Sequence, residues 1–443
     1  MFKVDCKRGL LAHLNLKPVT LLIVLLGSSL FLSTLFADSQ IVSKTEVKSE
    51  TKIGPKLSYF NQLEKSGLLL LDPQQKVLLS KSADRFFIPA STTKLVTALL
   101  ALNHWGAAHR FKTEFYLIKE SGSRQAKLMV KGFGDPFLVS EELDLISKQL
   151  ADLLKDQQIS HISSIQLDTS YYESGLKMPG ASTSDNPYDA IPSALAANFN
   201  TLNIRKTTTG FESAESQTPM TKTALLLAKQ IKSFKKTKTG LEQRVNLGFD
   251  EKLNQTYFAE LLAAFLRQKG LKVSDQVAWQ TINSSEPQLL YRHYNSLTLD
   301  KMIRPMMKYS TNFVANQLAL NLSQSVLGGQ GSAQKVALTY RQELLALFDW
   351  QGFNVEEGAG LSRKNRLTPE QLIDVLNVFK PWRHLLPEIE QGVFAKSGSL
   401  IGVSTLAGYI YMESKWYPFA FMINQKVPYR FRNKLAKELS QRY

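Results

Sequence analysis

Cysteine is almost absent from this chain of 443 residues, and its one cysteine, Cys6, lies close to the start of the sequence. Everything after residue 6 therefore folds without disulfides. Histidine is also scarce: there are six, and no pair has the spacing of a zinc enzyme, so we expect no metal site and no cofactor. With 44% hydrophobic and 21% charged residues, the chain otherwise has the composition of a globular protein with two or three domains.

Long apolar runs are equally rare, and the one present extends from Val19 to Phe36. Four basic residues precede it and the small residue Ala37 follows it, which predicts a secretory signal over residues 1–37. The alternative is an uncleaved anchor, because a run of this length can span a bilayer. An exported chain without disulfides indicates the bacterial envelope, so we expect a periplasmic protein.

Acidic residues are too few to balance the basic ones, with 38 Asp and Glu against 54 Lys and Arg. Removal of residues 1–37 takes away four basic residues and one acidic residue, so the net charge falls from +16 to +13 (16 − 4 + 1). Such a charge favours anionic partners. Export argues against nucleic acid, which leaves a cell-wall polymer or peripheral association with a membrane surface. The alternative is a surface charge that only serves solubility.

The stretch "PASTTKLVTALLAL" from Pro89 to Leu102 combines an apolar helical run with a cation in its first turn. Ser91 is a suitable N-cap residue, but Lys94 stands where the helix dipole disfavours positive charge by about 0.3–1 kcal/mol. Residues three apart share a helical face, so the Ser91 hydroxyl and the Lys94 amine can meet. A serine next to a neutral amine is a nucleophile with its base.

This interpretation requires the pKa of Lys94 to fall from about 10.4 to near 7. We expect burial and a second nearby cation to lower it. The alternative is that Ser91 only caps the helix, since the S-x-x-K pattern also occurs elsewhere in the chain.

Two further triplets could complete a serine–lysine site of the S-x-x-K, S-x-N, K-T-G type. The literal matches, "SDN" at 184–186 and "KTG" at 238–240, lie in a loop-like stretch and in a charged run. The looser matches are better placed. "STN" at 310–312 falls between two apolar helical patterns, and "KSG" at 396–398 falls on a predicted strand. The alternatives are a helix cap at Ser310 and an edge-strand charge at Lys396.

Four segments in order, "FIPASTTKLVTALLAL", "GFGDPFL", "GAGLSRKNRLTP" and "AKSGSLIGVSTLAGYI", resemble the low-molecular-mass class C penicillin-binding proteins. This is the D-alanyl-D-alanine carboxypeptidase/endopeptidase family, peptidase family S13. The resemblance begins near Leu57 and runs to the C-terminus.

The resemblance implies an α/β (α+β) transpeptidase-like domain, with a five-stranded antiparallel sheet flanked by helices. The sequence agrees, with a hairpin over 66–82, three strand-like runs after residue 393 and a closing helix. The predicted order is a signal peptide at 1–37 and the transpeptidase-like domain at 38–110 and 287–443. An inserted region occupies 111–286, with its inner domain reduced or missing near 201–243.

The resemblance also implies roles for individual residues. Ser91 is the expected nucleophile and Lys94 its base, while Ser310 relays a proton and Asn312 holds the substrate amide. Lys396 is expected to orient the terminal carboxylate and to lower the pKa of Lys94. The remaining expected substrate-binding residues are Ser397, Gly398, Ser399 and Asp185. The backbone N–H groups of Ser91 and Ser399 would form the oxyanion hole.

Asp185 follows the Pro179-Gly180 pair by five residues, which is the offset at which the family carries an acid for the amino group of the stem-peptide diamino acid. Its alternative is a turn Asp before the "NP" dipeptide.

The function implied is a serine DD-peptidase that acts on peptidoglycan stem peptides and is acylated by β-lactams. The alternatives are a β-lactamase of the same superfamily and an inactive cell-wall-binding protein. The sequence does not decide between carboxypeptidase and endopeptidase action.

Overall fold

The computed structural model describes residues 54–120, 122–230, 239–282 and 287–442, which belong to one compact unit. The predicted signal at 1–37 and the lysine of the literal "KTG" at 238–240 lie outside the described residues. In these four described stretches, no helix has both the length and the apolar character that a membrane crossing requires.

The described residues contain ten α-helices and fifteen strands. The helices are α1 (Pro55–Gln62), α2 (Thr93–Trp105), α3 (Ser140–Asp156), α4 (Lys222–Gln230), α5 (Glu251–Gln268), α6 (Leu299–Tyr309), α7 (Asn312–Leu327), α8 (Ala333–Leu347), α9 (Pro369–Phe379) and α10 (Phe431–Ser440). The strands are β1 (Ser66–Leu71), β2 (Val77–Lys81), β3 (Lys112–Lys119), β4 (Gln125–Gly132), β5 (His161–Asp168), β6 (Thr201–Lys206), β7 (Phe211–Ser213), β8 (Glu242–Asn246), β9 (Lys272–Val273), β10 (Val277–Trp279), β11 (Gln288–Tyr294), β12 (Glu388–Glu390), β13 (Val393–Leu400), β14 (Val403–Met412) and β15 (Lys415–Ile423).

The main sheet is antiparallel and has the strand order β12-β13-β14-β15-β1-β2. Its two faces follow from the period-2 alternation of each strand. On β15, Phe419 and Phe421 pack with α1 and α10, whereas Ala420 and Met422 pack with α2 and α9. The predicted fold class is thereby confirmed. The sheet has six strands rather than the expected five, because the three-residue strand β12 adds to the edge of β13.

A second sheet has the order β10-β5-β4-β3-β11, with β9 paired to β5. It mixes antiparallel pairs with the parallel pairs of β5, and α3 and α5 cover it with a separate apolar core. A third sheet of order β7-β6-β8 lies in the stretch expected to hold a reduced inner domain. The boundaries of the domains, at 110 and 286, stay a prediction.

The helix α7 links these parts to the site, because its buried side chains include several amides that bond to other segments. Asn316 accepts a hydrogen bond from the Gly358 N–H at 3.0 Å, and Gln317 donates to the Ser193 carbonyl at 2.9 Å. Asn321 donates to the Gly134 carbonyl at 2.9 Å. The first residue of the helix, Asn312, faces the Ser91 region, so the packing of α7 fixes one wall of the site.

Candidate active site

Ser91 lies in a tight 3-10 turn, Ala90–Thr92, that runs directly into α2. The turn is held by its own side chains, since the Thr92 hydroxyl donates to the Pro89 carbonyl at 2.7 Å and the Thr93 hydroxyl donates to the Ala90 carbonyl at 2.9 Å. Ala90 has a φ of 48°, which is a strained backbone conformation for alanine. The prediction that Ser91 is the N-cap was wrong, because the turn already places Ser91 in the helical region ahead of α2.

The amine of Lys94 is the centre of the site, and its side chain is fully buried. Its Nζ atom lies 3.3 Å from Ser91 Oγ, 2.8 Å from Asn312 Oδ1 and 2.7 Å from the Ala359 carbonyl oxygen. Three oxygen atoms from three separate parts of the chain therefore surround one nitrogen. The helical spacing that suggested a contact between Ser91 and Lys94 holds in the structure.

Burial lowers the pKa of Lys94 to about 7, while the charge of Glu357 opposes this shift. We expected the neighbouring cation Lys396 to lower the pKa of Lys94 as well, and this stays a prediction. Burial lowers the pKa of Lys396 well below its usual range, and the charges of Lys94 and Arg432 lower it further.

The "STN" triplet lies where two helices meet. Ser310 ends α6 in the left-handed conformation, with a φ of 58°, and Asn312 begins α7. The orientation of the Asn312 amide is fixed, because Nδ2 donates to the Tyr188 carbonyl at 3.0 Å and so Oδ1 faces Lys94. The Ser310 side chain is half-buried and makes no hydrogen bond within the described part of the chain.

The "KSG" triplet lies on β13, as predicted, beside the Ser91 turn. Lys396 is 1% exposed, and its amine donates to the Ser397 carbonyl at 2.7 Å. Gly398 touches the turn so closely that an added Cβ would lie 2.8 Å from both the Ser91 nitrogen and the Pro89 oxygen. Only glycine fits there. The neighbouring strand β14 also holds the Ser91 turn, since the Thr405 hydroxyl donates to the Pro89 carbonyl at 2.7 Å.

The backbone of β13 also presents donors to the cleft. The Ala395 N–H points away from β14 and donates to the Pro387 carbonyl at 3.1 Å. Alternate residues of a strand direct their backbone groups to the same edge, so the N–H groups of Ser397 and Ser399 point the same way. The strand β12 pairs with β13 only at Val393 and Phe394, so it does not cover those two groups.

Asp185 lies on the loop before the 3-10 turn Pro187–Asp189. Its backbone carbonyl accepts a hydrogen bond from the Asn246 N–H at 3.0 Å, which ties the loop to β8. The residue of this loop that reaches the serine–lysine centre is Tyr188, through its carbonyl contact with Asn312. The role of Asp185 therefore stays a prediction.

Glu357 is a residue of the site whose importance the sequence analysis missed. Its carboxylate is fully buried and accepts from the N–H groups of Ala359 and Gly360 at 2.8 Å, from that of Ser362 at 3.2 Å and from Asn365 Nδ2 at 3.0 Å. These bonds fold the backbone so that the Ala359 carbonyl meets Lys94. Burial raises the pKa of Glu357, against the lowering effect of these donors. In the sequence, an acid stands directly before a Gly-Ala-Gly run, which has the composition of a tight turn, and this pattern could have indicated the role of Glu357.

Arg432 on α10 is the second residue that was missed. Its Nη1 atom donates to the Ser399 hydroxyl at 2.6 Å and also to the Gly398 carbonyl. The predicted substrate-binding hydroxyl of Ser399 is therefore already held by an arginine from the closing helix. No local sequence signal points to Arg432, because its position depends on how α10 packs across the sheet.

A comparison with family models decides what kind of protein carries this geometry. The model described as "D-Ala-D-Ala carboxypeptidase 3 (S13) family" matches residues 62–387, which is more than half of the chain. The chain belongs to this family. It is therefore a serine-type D-Ala-D-Ala peptidase by family, and the predicted S13 resemblance is confirmed.

Individual relatives agree with the family assignment. This S13 peptidase is 25% identical to the D-alanyl-D-alanine carboxypeptidase DacB of Haemophilus influenzae, over 76% of this chain and 80% of that protein. It is 24% identical to the D-alanyl-D-alanine carboxypeptidase of Actinomadura sp., over 78% and 75%. The crystal structure of penicillin-binding protein 4 from Haemophilus influenzae shares the fold, with a TM-score of 0.69, 19% identity and coverage of 88% of this chain and 100% of that chain.

Proposed function

We propose that this S13 peptidase hydrolyses D-Ala-D-Ala termini or D,D cross-links of peptidoglycan through an acyl-enzyme on Ser91, and that β-lactams acylate the same serine. The observation that carries this proposal is the environment of Lys94 Nζ, which faces two carbonyl-type oxygens and one hydroxyl. The basis for the β-lactam part is family membership, and the Haemophilus influenzae structure is also known as a complex with a β-lactam.

The three neighbours of Lys94 can accommodate a neutral amine. Two of them, Asn312 Oδ1 and the Ala359 carbonyl, are acceptors only and take the two hydrogen atoms of a neutral amine. The lone pair is then directed to the third neighbour, the Ser91 hydroxyl, at 3.3 Å. Because the pKa of Lys94 is about 7, a large fraction of the amine is neutral at physiological pH. This is the state that a general base requires.

The acylation step follows from these positions. The Ser91 hydroxyl transfers its proton to Lys94, and its oxygen attacks the carbonyl carbon of the penultimate D-alanine. The N–H groups of Ser91 and Ser399 are the proposed donors to the oxyanion that forms, a type of contact worth about 10²–10³ in rate. The carbon–nitrogen bond then breaks, and the leaving amine receives a proton from Lys94 through the Ser310 hydroxyl. Water later hydrolyses the ester and frees Ser91.

The residues of the K-S-G strand, at the end of the cleft away from Lys94, are assigned to substrate binding. Lys396, Ser397 and Ser399 are the proposed ligands of the terminal carboxylate, with Gly398 as the surface against which the substrate lies. A bound carboxylate favours the charged form of Lys396 and so raises its pKa again. Asp185 is the proposed contact of the diamino acid. Action outside the cytoplasm follows from a cell-wall substrate, and we assign the chain to the periplasm, with its basic surface suited to anionic wall polymer or membrane.

The test is intact mass measurement of the protein after treatment with penicillin G, followed by peptide mapping. The wild type is expected to gain the mass of one penicillin on the peptide that contains Ser91, and the Ser91→Ala variant is expected to gain nothing. Ser332→Ala is the matched control, because Ser332 and Lys335 have the same spacing elsewhere and Ser332 caps α8. An adduct that survives in Ser91→Ala would reject the assignment.

A further inference from the structure

The end of the cleft around Ser399 holds more positive charge than its protein partners neutralise. Lys396 and Arg432 influence each other electrostatically, and Lys396 is buried. Neither forms a salt bridge with a carboxylate of the described residues. Their acceptors are neutral: the Ser397 carbonyl for Lys396, and the Gly398 carbonyl and Ser399 hydroxyl for Arg432. Buried charge without a counter-charge is costly, so such a place suits an anionic ligand.

Arg432 differs in this respect from its neighbour Arg430. Arg430 forms a salt bridge of 3.0 Å with Glu390 and is exposed. Arg432 is half-buried, and only Nη1 of its guanidinium has a partner in the described part of the chain. Its Nη2 and Nε groups keep their donor capacity, which is the fork that binds a carboxylate through two parallel hydrogen bonds.

A groove of about 440 Å³ adjoins this guanidinium. Ser399, Ser404, Lys426, Arg430 and Arg432 are among its polar and basic lining residues, and no Asp or Glu of the described residues lines it. The groove starts at Ser399, whose backbone N–H faces the Ser91 side of β13. A substrate that places its reacting carbonyl at Ser91 can therefore extend its charged end toward Arg432.

We propose that Arg432 is a specificity residue that binds the free carboxylate at the end of the substrate, together with Lys396 and the Ser399 hydroxyl. This proposal rests on the DD-peptidase function proposed above. It assigns to α10 a direct part in substrate recognition, in addition to the three motifs. Arginine binds carboxylates with charge-assisted hydrogen bonds, so the loss of this contact is expected to reduce kcat/KM by about 10–100-fold.

The test compares two probes, diacetyl-lysyl-D-Ala-D-Ala and the same peptide with an amidated C-terminus. The wild type is expected to prefer the free carboxylate strongly. Arg432→Gln is expected to lose about 10–100-fold in kcat/KM on the free acid, mainly through KM, and to change less than about 3-fold on the amide. Arg432→Lys keeps the charge without the fork and is expected to recover part of the loss.

Arg430→Gln is the matched control, because Arg430 lines the same groove but is paired with Glu390, and it is expected to behave as the wild type. Equal losses of Arg432→Gln on both probes would show a structural role and overturn the proposal, as would an unchanged rate on the free acid. If the wild type hydrolyses neither probe and binds no penicillin, the proposed function itself fails. Thermal unfolding of each variant shows whether a loss of activity comes from misfolding.

Discussion

The two ends of the cleft differ in how their cationic side chains are partnered. At the Ser91 end, the buried amine of Lys94 faces three oxygen atoms and interacts with the charge of buried Glu357. At the Ser399 end, the hydrogen-bond acceptors of Lys396 and Arg432 are all neutral. The first end is complete without a ligand, since the Lys94 amine has an oxygen partner in each of three directions. The second end lacks an anion. We infer that the Ser91 end is organised for proton transfer and the Ser399 end for binding.

The two ends also differ in how they are held. The Ser91 end depends on contacts between parts of the chain that are far apart in sequence, with Asn312 fixed by Tyr188 and Ala359 placed by Glu357. The Ser399 end depends on one strand and one helix, β13 and α10. Substitutions at the first end should therefore affect chemistry and folding together, and those at the second end should affect substrate preference.

The largest expected effect comes from Lys94→Met, which removes the amine but keeps a long apolar side chain in the buried position. The loss of a general base costs about 10²–10⁴ in rate, so the rate of acylation by penicillin is expected to fall by that factor. Stopped-flow or mass-based kinetics measure it. Lys335→Met is the control, since Lys335 lies at the same offset after a serine and is expected to leave the rate within 2-fold. A fast reaction of Lys94→Met would mean that another group takes the proton.

A loss of stability is expected for Glu357→Gln, because its carboxylate receives four N–H donors in a buried turn. Glutamine offers one acceptor oxygen and turns an N–H₂ group toward donors, so we expect a loss of about 2–4 kcal/mol in the free energy of unfolding. Urea unfolding measures it. Glu356→Gln is the matched control, because half-buried Glu356 receives only the Ser362 hydroxyl on its side chain.

Glu357→Gln should also move the pH dependence of acylation. The charge of Glu357 raises the pKa of Lys94, so its removal is expected to lower that pKa and shift the acid limb of the rate to lower pH. An acid limb that shifts to higher pH, or equal stability of the two glutamine variants, would contradict the role given to Glu357.

The smallest expected effect is that of Asp185→Asn. Asp185 belongs neither to the Ser91 end nor to the Ser399 end of the cleft. If its side chain receives the amino group of the diamino acid, kcat/KM is expected to fall up to about 5-fold for a stem peptide with a free amino group, as for a partly exposed ion pair. The same peptide with an acetylated amino group is expected to react at the wild-type rate. Equal rates of the variant and the wild type on both peptides would remove Asp185 from the binding site.

Much of this architecture is readable from the sequence because its signals are local. The apolar run after Lys94 predicted α2, the β-branched and aromatic runs after residue 393 predicted β13 to β15, and the position of "STN" between two helical patterns placed Ser310 and Asn312 at a helix junction. These features depend on periodicity within about ten residues, which the chain displays directly.

The remaining features depend on contacts between distant segments. Gly360 and Gly398 bring other backbone segments against the Ser91 turn, and no local pattern shows that approach. Arg432 reaches β13 only through the packing of α10, and Asn312 is oriented by a carbonyl on a loop that β8 holds. Burial was expected to lower the pKa of Lys94, but the opposing charge of Glu357 appears only in the folded chain.

The most direct test of the central claim, that a neutral Lys94 activates Ser91, is the pH dependence of the second-order rate constant for acylation of the wild type by penicillin G. The rate is expected to rise about tenfold per pH unit at low pH and to level off near pH 7, where Lys94 loses its proton. A rate that is independent of pH from about 5 to 9, or that continues to rise toward the ordinary lysine pKa of about 10.4, would contradict it.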